Sequence, residues 1–189
     1  MDRREALRRT ALAIGGVLSA PTILGILNGC TAKPSIDWKP KFFSEDQGIL
    51  VSQVAGIIIP KTDTPGAREA GVPGFIDSMV KDVYNESERD QFMKSMQDFI
   101  SAAGKENSDP FIEWDEKDQT AFVKKLHDEA LKAEAKEKPF VLAMKELTVA
   151  GFFTSEPGAT KVLQYEAVPG SYKGCIPIKE AGAGKTWAT

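Results

Sequence analysis

Histidine and cysteine are nearly missing from this chain of 189 residues: it holds one histidine, His127, and two cysteines, Cys30 and Cys175. That set cannot build an ordinary zinc site, which takes four nitrogen or sulfur ligands. The Cys-x-x-Cys-His pattern that attaches a c-type haem does not occur. No stripe of lysine and arginine marks a nucleic-acid partner. No segment alternates apolar and polar residues long enough to read as a strand. A dinucleotide fingerprint is lacking as well, because the Gly182/Gly184 run has Trp187 where the third glycine belongs. Gly184-Lys185-Thr186 resembles the end of a phosphate loop, but Lys179 stands where that motif needs its first glycine. His127 sits among Lys124, Lys125, Asp128 and Glu129, which reads as a helix surface rather than a catalytic base. The acidic runs Glu113–Asp118 and Asp128–Glu137 are interspersed with lysine and read as solvated helix faces. No convergent acid, base or nucleophile set emerges, and nothing in the residues calls for a cofactor bound by this chain.

What is present describes a globular protein. Hydrophobic residues make up 42% and charged residues 27%, enough for one domain with a core rather than a disordered chain. The formal net charge is −3. Residues 1–29 hold four arginines against Asp2 and Glu5, so the remainder carries −5 by the same count.

Residues 1–29 read as an export signal. Arg3-Arg4 and Arg8-Arg9 precede an apolar run, Thr10–Gly29. The arginines favour the cytoplasmic side, so the residues after the run lie outside. Asp2-Arg3-Arg4-Glu5-Ala6-Leu7-Arg8 is similar to a twin-arginine signal, which routes folded cargo, although Asp2 and Ala6 depart from its usual pattern. Leu27-Asn28-Gly29-Cys30 resembles a bacterial lipobox, in which Cys30 becomes the acylated N-terminus. Each buried CH₂ adds roughly 0.8 kcal/mol, so several acyl chains would hold the protein at a membrane. An uncleaved anchor helix is the alternative, interrupted by Pro21, Ser19 and Asn28; simple secretion is a third. All three place the domain on the periplasmic side of the cell envelope.

Residues 30–43 read as a tether with Pro34 and Pro40, and residues 44–189 as one all-α domain, a small irregular bundle with a long ordered C-terminal loop region. Ser44-Glu45-Asp46-Gln47 reads as a capping box. Leu50, Val54, Ile57 and Ile58 come next at helical spacing, and Pro60 ends the helix. A second helix is expected over Val72–Asn85, with Phe75, Ile76, Met79, Val80 and Val83 inward. A third is expected to start at Ser87 and stop at Gly104, burying Phe92, Met96, Phe99 and Ile100. A fourth covers Asp115–Lys136, with Phe122, Val123, Leu126 and Ala130 inward. Pro139 opens a fifth at its first position, with Phe140, Met144, Leu147 and Thr148 inward. From Gly151 on, Pro157-Gly158 and Pro169-Gly170 break the chain, and Phe152, Phe153, Tyr165 and Tyr172 interleave with the turns. Loops of that length are functional or disordered; these aromatics fit either packing on the bundle or a binding surface.

Between the first two helices lies Pro60–Asp77, with two Pro-Gly pairs (Pro65-Gly66, Pro73-Gly74), a single arginine in Arg68, and Gly71. Proline presets φ and glycine admits positive φ, so this is a shaped connection. Its run Thr62–Asp77, TDTPGAREAGVPGFID, resembles a signature of the gluconate 2-dehydrogenase subunit 3 family. A second signature comes later in the expected order: Leu147-Thr148, Gly151-Phe152-Phe153-Thr154-Ser155-Glu156, Tyr165, and Val168-Pro169-Gly170-Ser171-Tyr172-Lys173-Gly174-Cys175. The two bracket nearly all of the chain after the signal.

The resemblance implies a non-catalytic small subunit of a membrane-bound sugar dehydrogenase. FAD would lie in a partner, a catalytic subunit of the glucose–methanol–choline type, and haem c in a cytochrome subunit. A folded-cargo signal suits that arrangement, because a flavoprotein filled in the cytoplasm must cross folded. This chain would then be export escort, stabiliser and tether. The residues expected at the partner interface are Thr64, Pro65, Gly66, Arg68, Pro73, Phe75, Asp77, Phe153, Tyr165 and Tyr172, with Arg68 pairing with a partner carboxylate. If Cys30 carries lipid, Cys175 has no internal mate, and it either bonds a partner subunit or stays a buried thiol. Two other readings stand beside this one: a stand-alone binding lipoprotein of the cell envelope, and a lipoprotein enzyme acting alone.

Overall fold

The computed structural model describes residues 35–133, 137–168, 170, 175–180 and 184–188; these fall in one compact unit, Ser35–Thr189. The fold is all-α, with no strand among the described residues. Helix α1 is Glu45–Ile58, α2 Val72–Ser78, α3 Glu86–Glu106, α4 Glu116–Lys132 and α5 Phe140–Thr154. No helix among them is long and apolar enough to cross a membrane.

Side chains close the helix starts. Ser44 Oγ accepts from the Gln47 amide at 3.3 Å while Gln47 Oε1 accepts from the Ser44 amide at 2.9 Å, the reciprocal pair expected there. Asn85 and Glu88 make the same pair at 2.9 and 3.0 Å. The capping residue of α3 is therefore Asn85, two residues before Ser87. The helix also runs through Gly104 to Glu106. Helix α4 starts where Asp115 Oδ1 accepts from the Asp118 amide; it ends at Lys132, short of the expected Lys136, because the backbone turns extended at Ala133, while residues 134–136 lie outside the described set. Pro139 stands just before α5 rather than inside it.

Two stretches depart from the expected pattern. Helix α2 gives way at Met79–Val83 to a π-turn, closed by Tyr84 N–H donating to Met79 O at 3.0 Å. The extra residue in that turn shifts the helical register, so Val83 is 63% exposed instead of inward. Beyond Gly151, helix α5 continues to Thr154, and Gly158–Val162 forms a second π-turn where a loop was expected.

Helix α5 is apolar on nearly every side and touches each of the other four. Such a helix belongs at the centre. Around it the phenylalanines form a continuous ladder. Phe43 meets Phe92 at 6.0 Å, Phe92 meets Phe140 at 5.6 Å, and Phe140 meets Phe99 at 5.1 Å. Phe99 then meets Phe111 and Phe122 at 5.0 and 5.3 Å, and Trp114 closes on both. The edge-to-face pairs among these add about 0.5–1.5 kcal/mol each beyond the area they bury.

Residues 35–43, expected as part of a tether, are packed on the bundle. The Ile36 and Pro40 side chains leave only 3.0 Å to a methyl placed on Gly48. Phe43 is buried in the core, and the Phe42 ring lies 5.6 Å beneath the Arg89 guanidinium.

Candidate partner interface

The first turn-rich segment is held by its own backbone. After α1, Ala67 N–H donates to Ile59 O at 2.9 Å and Val72 N–H to Ala67 O at 3.0 Å. Gly66 N–H donates to Glu69 Oε2 at 3.0 Å. The chain doubles back so tightly that a methyl on Gly66 would lie 2.6 Å from Lys61 N and 2.9 Å from Ile59 O. Gly71, at φ +74°, occupies the left-handed region just before α2.

Arg68 leans on α1. Its Nε donates to Ser52 O at 3.0 Å and one Nη donates to Gln53 O at 3.4 Å. Gly56 makes room for it, since a methyl there would sit 2.3 Å from Arg68 Nε. Ser52 and Gln53 lie six and five residues before the end of α1 at Ile58, so Arg68 braces the side of the helix and ties the turn-rich segment to it. The side chain remains exposed, and the other guanidinium N–H groups have no partner among the described residues.

Asp77 faces inward. It is 1% exposed, and its carboxylate accepts three backbone N–H bonds: Lys41 at 2.8 Å, Phe42 at 3.1 Å and Phe43 at 2.9 Å. The sequence signal for this was a lone carboxylate on the stripe Pro73, Ile76, Asp77, Val80, all of which are buried. Asp77 and Pro73 are therefore corrected from interface residues to internal ones, and buried Gly66 joins them.

The two signatures meet. Val72 and Phe75 of α2 pack on Gly151 of α5, where a methyl would lie 2.6 Å from Phe75 Cδ1 and 3.2 Å from Val72 Cγ1. Thr64, Pro65, Phe75 and Phe153 are half-buried, and Phe153 stands edge-on to Phe152 at 5.3 Å. Tyr165 is 60% exposed and Val168 is 80% exposed. The chain returns beside them: Gln164 N–H donates to Thr186 O at 2.7 Å and Ala188 N–H to Gln164 O at 2.8 Å. Of the expected surface, the residues that reach solvent are thus Arg68 and Tyr165, with Thr64, Pro65, Phe75 and Phe153 partly open.

Cys175 is exposed and unpaired among the described residues, not the buried thiol of one alternative. Arg3, Arg4, Cys30 and Tyr172 lie outside the described residues. His127 is half-buried between α4 and α5, with Nε2 2.9 Å from Lys145 Nζ and Nδ1 3.5 Å from Asp128. A groove of about 340 Å³ between α3, α4 and the start of α5 is floored by Phe99, Leu126, Ala130 and Phe140; neither signature lines it. Arg89 was not singled out by sequence. It donates to Val80 O, Lys81 O and Tyr84 O at 3.1, 2.8 and 3.2 Å, closing the π-turn.

No curated protein and no solved structure matches the chain. The family model described as gluconate 2-dehydrogenase subunit 3 matches residues 45–170. That span takes in the five helices of the described residues and most of both turn-rich segments, and by it the chain belongs to the gluconate 2-dehydrogenase subunit 3 family.

Proposed function

We propose that this chain is the non-catalytic small subunit of a periplasmic FAD-dependent sugar dehydrogenase, serving as twin-arginine export escort, stabiliser and membrane tether of the flavoprotein subunit. The family match over residues 45–170 carries the reading. The flavoprotein, of the glucose–methanol–choline type, holds the FAD; a c-type cytochrome completes the complex and takes the electrons. Arg3 and Arg4 direct export, and acylated Cys30 holds the complex at the membrane. The docking surface runs over Thr64, Pro65, Arg68 and Phe75, and over Phe153, Tyr165 and Tyr172. Arg68 keeps guanidinium N–H groups for a partner carboxylate, and bidentate pairs of that kind fix orientation as well as adding affinity. Cys175 forms a disulfide with the partner, a role supported by its being exposed and unpaired among the described residues. Stabilisation is by mass action: a subunit that binds only folded flavoprotein lowers its unfolded fraction in proportion to occupancy.

Affinity purification from detergent-solubilised membranes tests this. The expected sample is yellow, with a flavin spectrum and a larger chain. A colourless chain with no flavoprotein overturns the reading. So does a fully active flavoprotein in the periplasm of a strain lacking this gene. Cys175 is read separately, from the mobility of the complex on gels with and without reductant.

A further inference from the structure

The proposed anchor at Cys30 raises the question of how far from the bilayer the domain can stand. A flexible tether to residue 43 would leave that open. The described structure does not have one. Ile36, Trp38 and Pro40 all approach Gly48 in the first turn of α1, and Trp38 also reaches Gly74 in α2. Asp77 then holds three successive amides, Lys41, Phe42 and Phe43, from a position almost wholly out of water. The whole of residues 36–43 is thereby part of the bundle.

We infer that Asp77 is the latch of a short leash: by fixing residues 36–43 on the bundle it holds the domain close against the phospholipid surface to which Cys30 is anchored. This rests on the anchoring reading above. Ser35 is about five residue steps from Cys30, and a chain of that length spans at most about 18 Å even when fully extended. Were residues 35–43 released, the first held residue would be Ser44, about fourteen steps away, with a limit of about 50 Å. The carboxylate suits the latch because it is acceptor-only and takes several N–H bonds at once. An asparagine has one acceptor oxygen and turns an N–H₂ donor toward amides that are themselves donors.

The test uses the full-length chain, processed in cells and reconstituted into vesicles of phosphatidylethanolamine and phosphatidylglycerol. A dye is placed at exposed Ser108, as Ser108→Cys in a Cys175→Ser background, with an energy-transfer acceptor on the lipid headgroups. Two variants are compared with this parent: Asp77→Asn, and a flexible Gly-Ser spacer inserted between Pro34 and Ser35. Strong transfer is expected in the parent and a loss of transfer in both variants. Hydrogen exchange separates the causes: the amides of Lys41, Phe42 and Phe43 lose protection in Asp77→Asn alone, while those of α5 keep it throughout. Unchanged transfer in the spacer variant overturns the leash, whether or not Asp77→Asn folds. Continued protection of the three amides in Asp77→Asn overturns the latch. Intact mass of the mature chain reports the anchor by itself: a chain without acyl groups refutes the anchoring reading, whereas an acylated chain with unchanged transfer refutes only the leash.

Discussion

Two glycines in the first turn-rich segment are needed for different reasons, and substitution separates them. At Gly66 the constraint is space, because a methyl would press on the backbone of Pro60 and Lys61, which cannot swing away. At Gly71 nothing stands within 4 Å, and the constraint is the positive φ alone. Gly71→Ala is expected to lose about 1 kcal/mol, the cost of a left-handed L-residue. Gly66→Ala is expected to lose more, about 2–3 kcal/mol, since backbone must move; urea denaturation of the two variants checks the order. Tyr84 gives a prediction in pH. Burial raises its phenol above the usual value of about 10, opposed by Lys138 and reinforced by Glu146 and Glu88. The folded state therefore keeps the proton longer than the unfolded state does. The resulting stability is intact below about pH 10 and falls as pH climbs past it toward the folded value. Lys94 and Lys125 are raised by hydrogen bonds to Glu137 and Glu106 and act in the same direction, though both are exposed and their pairs are screened by water. Melting temperatures measured on both sides of pH 10 should show a smaller alkaline drop in Tyr84→Phe than in the parent.

At the scale of elements, α5 and the phenylalanine ladder govern stability. Phe99 touches three other rings and is buried, so Phe99→Ala is expected to cost about 3–5 kcal/mol, read from denaturant midpoints. The ladder was legible in the sequence because Phe92, Met96, Phe99 and then Phe140, Met144, Leu147 repeat with the helical period. The capping box at Ser44 was legible too, since it depends on neighbours in sequence. The start of α3 was not: Asn85 and Ser87 both offer a capping side chain, and only the backbone decides between them. Nor was the π-turn at Met79–Val83, which keeps an apolar spacing while rotating Val83 outward. Gly104 reads as a helix end and Gly151 as the start of the turn-rich region, yet the first is an open helical position and the second is a helical position that admits Phe75. The candidate surface was legible as a segment and not residue by residue. Burial of Asp77 and Pro73 follows the helical stripe they share with Ile76 and Val80, but the amides of residues 41–43 that satisfy Asp77 are distant in sequence, and periodicity does not name them.

For the whole molecule, the proposed complex makes Arg68 the exposed cation whose reversal is most informative. Arg68→Glu removes two exposed hydrogen bonds to the Ser52 and Gln53 carbonyls and puts an anion near them, a local cost of about 1–2 kcal/mol. The isolated domain should therefore stay folded while co-purification of the flavoprotein falls; unchanged recovery of the flavoprotein would place the contact elsewhere. The chain also carries its own optical reporters. Its three tryptophans stand in three separate regions: Trp38 against the first turns of α1 and α2, Trp114 at the end of the ring ladder, and Trp187 44% exposed beside Gln164. Replacing them one at a time by phenylalanine assigns the emission to each. Release of the N-terminal residues then reads as a red shift from the first, loosening of the interior as a change in the second, and a companion settling over the C-terminal region as a blue shift from the third, with no label attached.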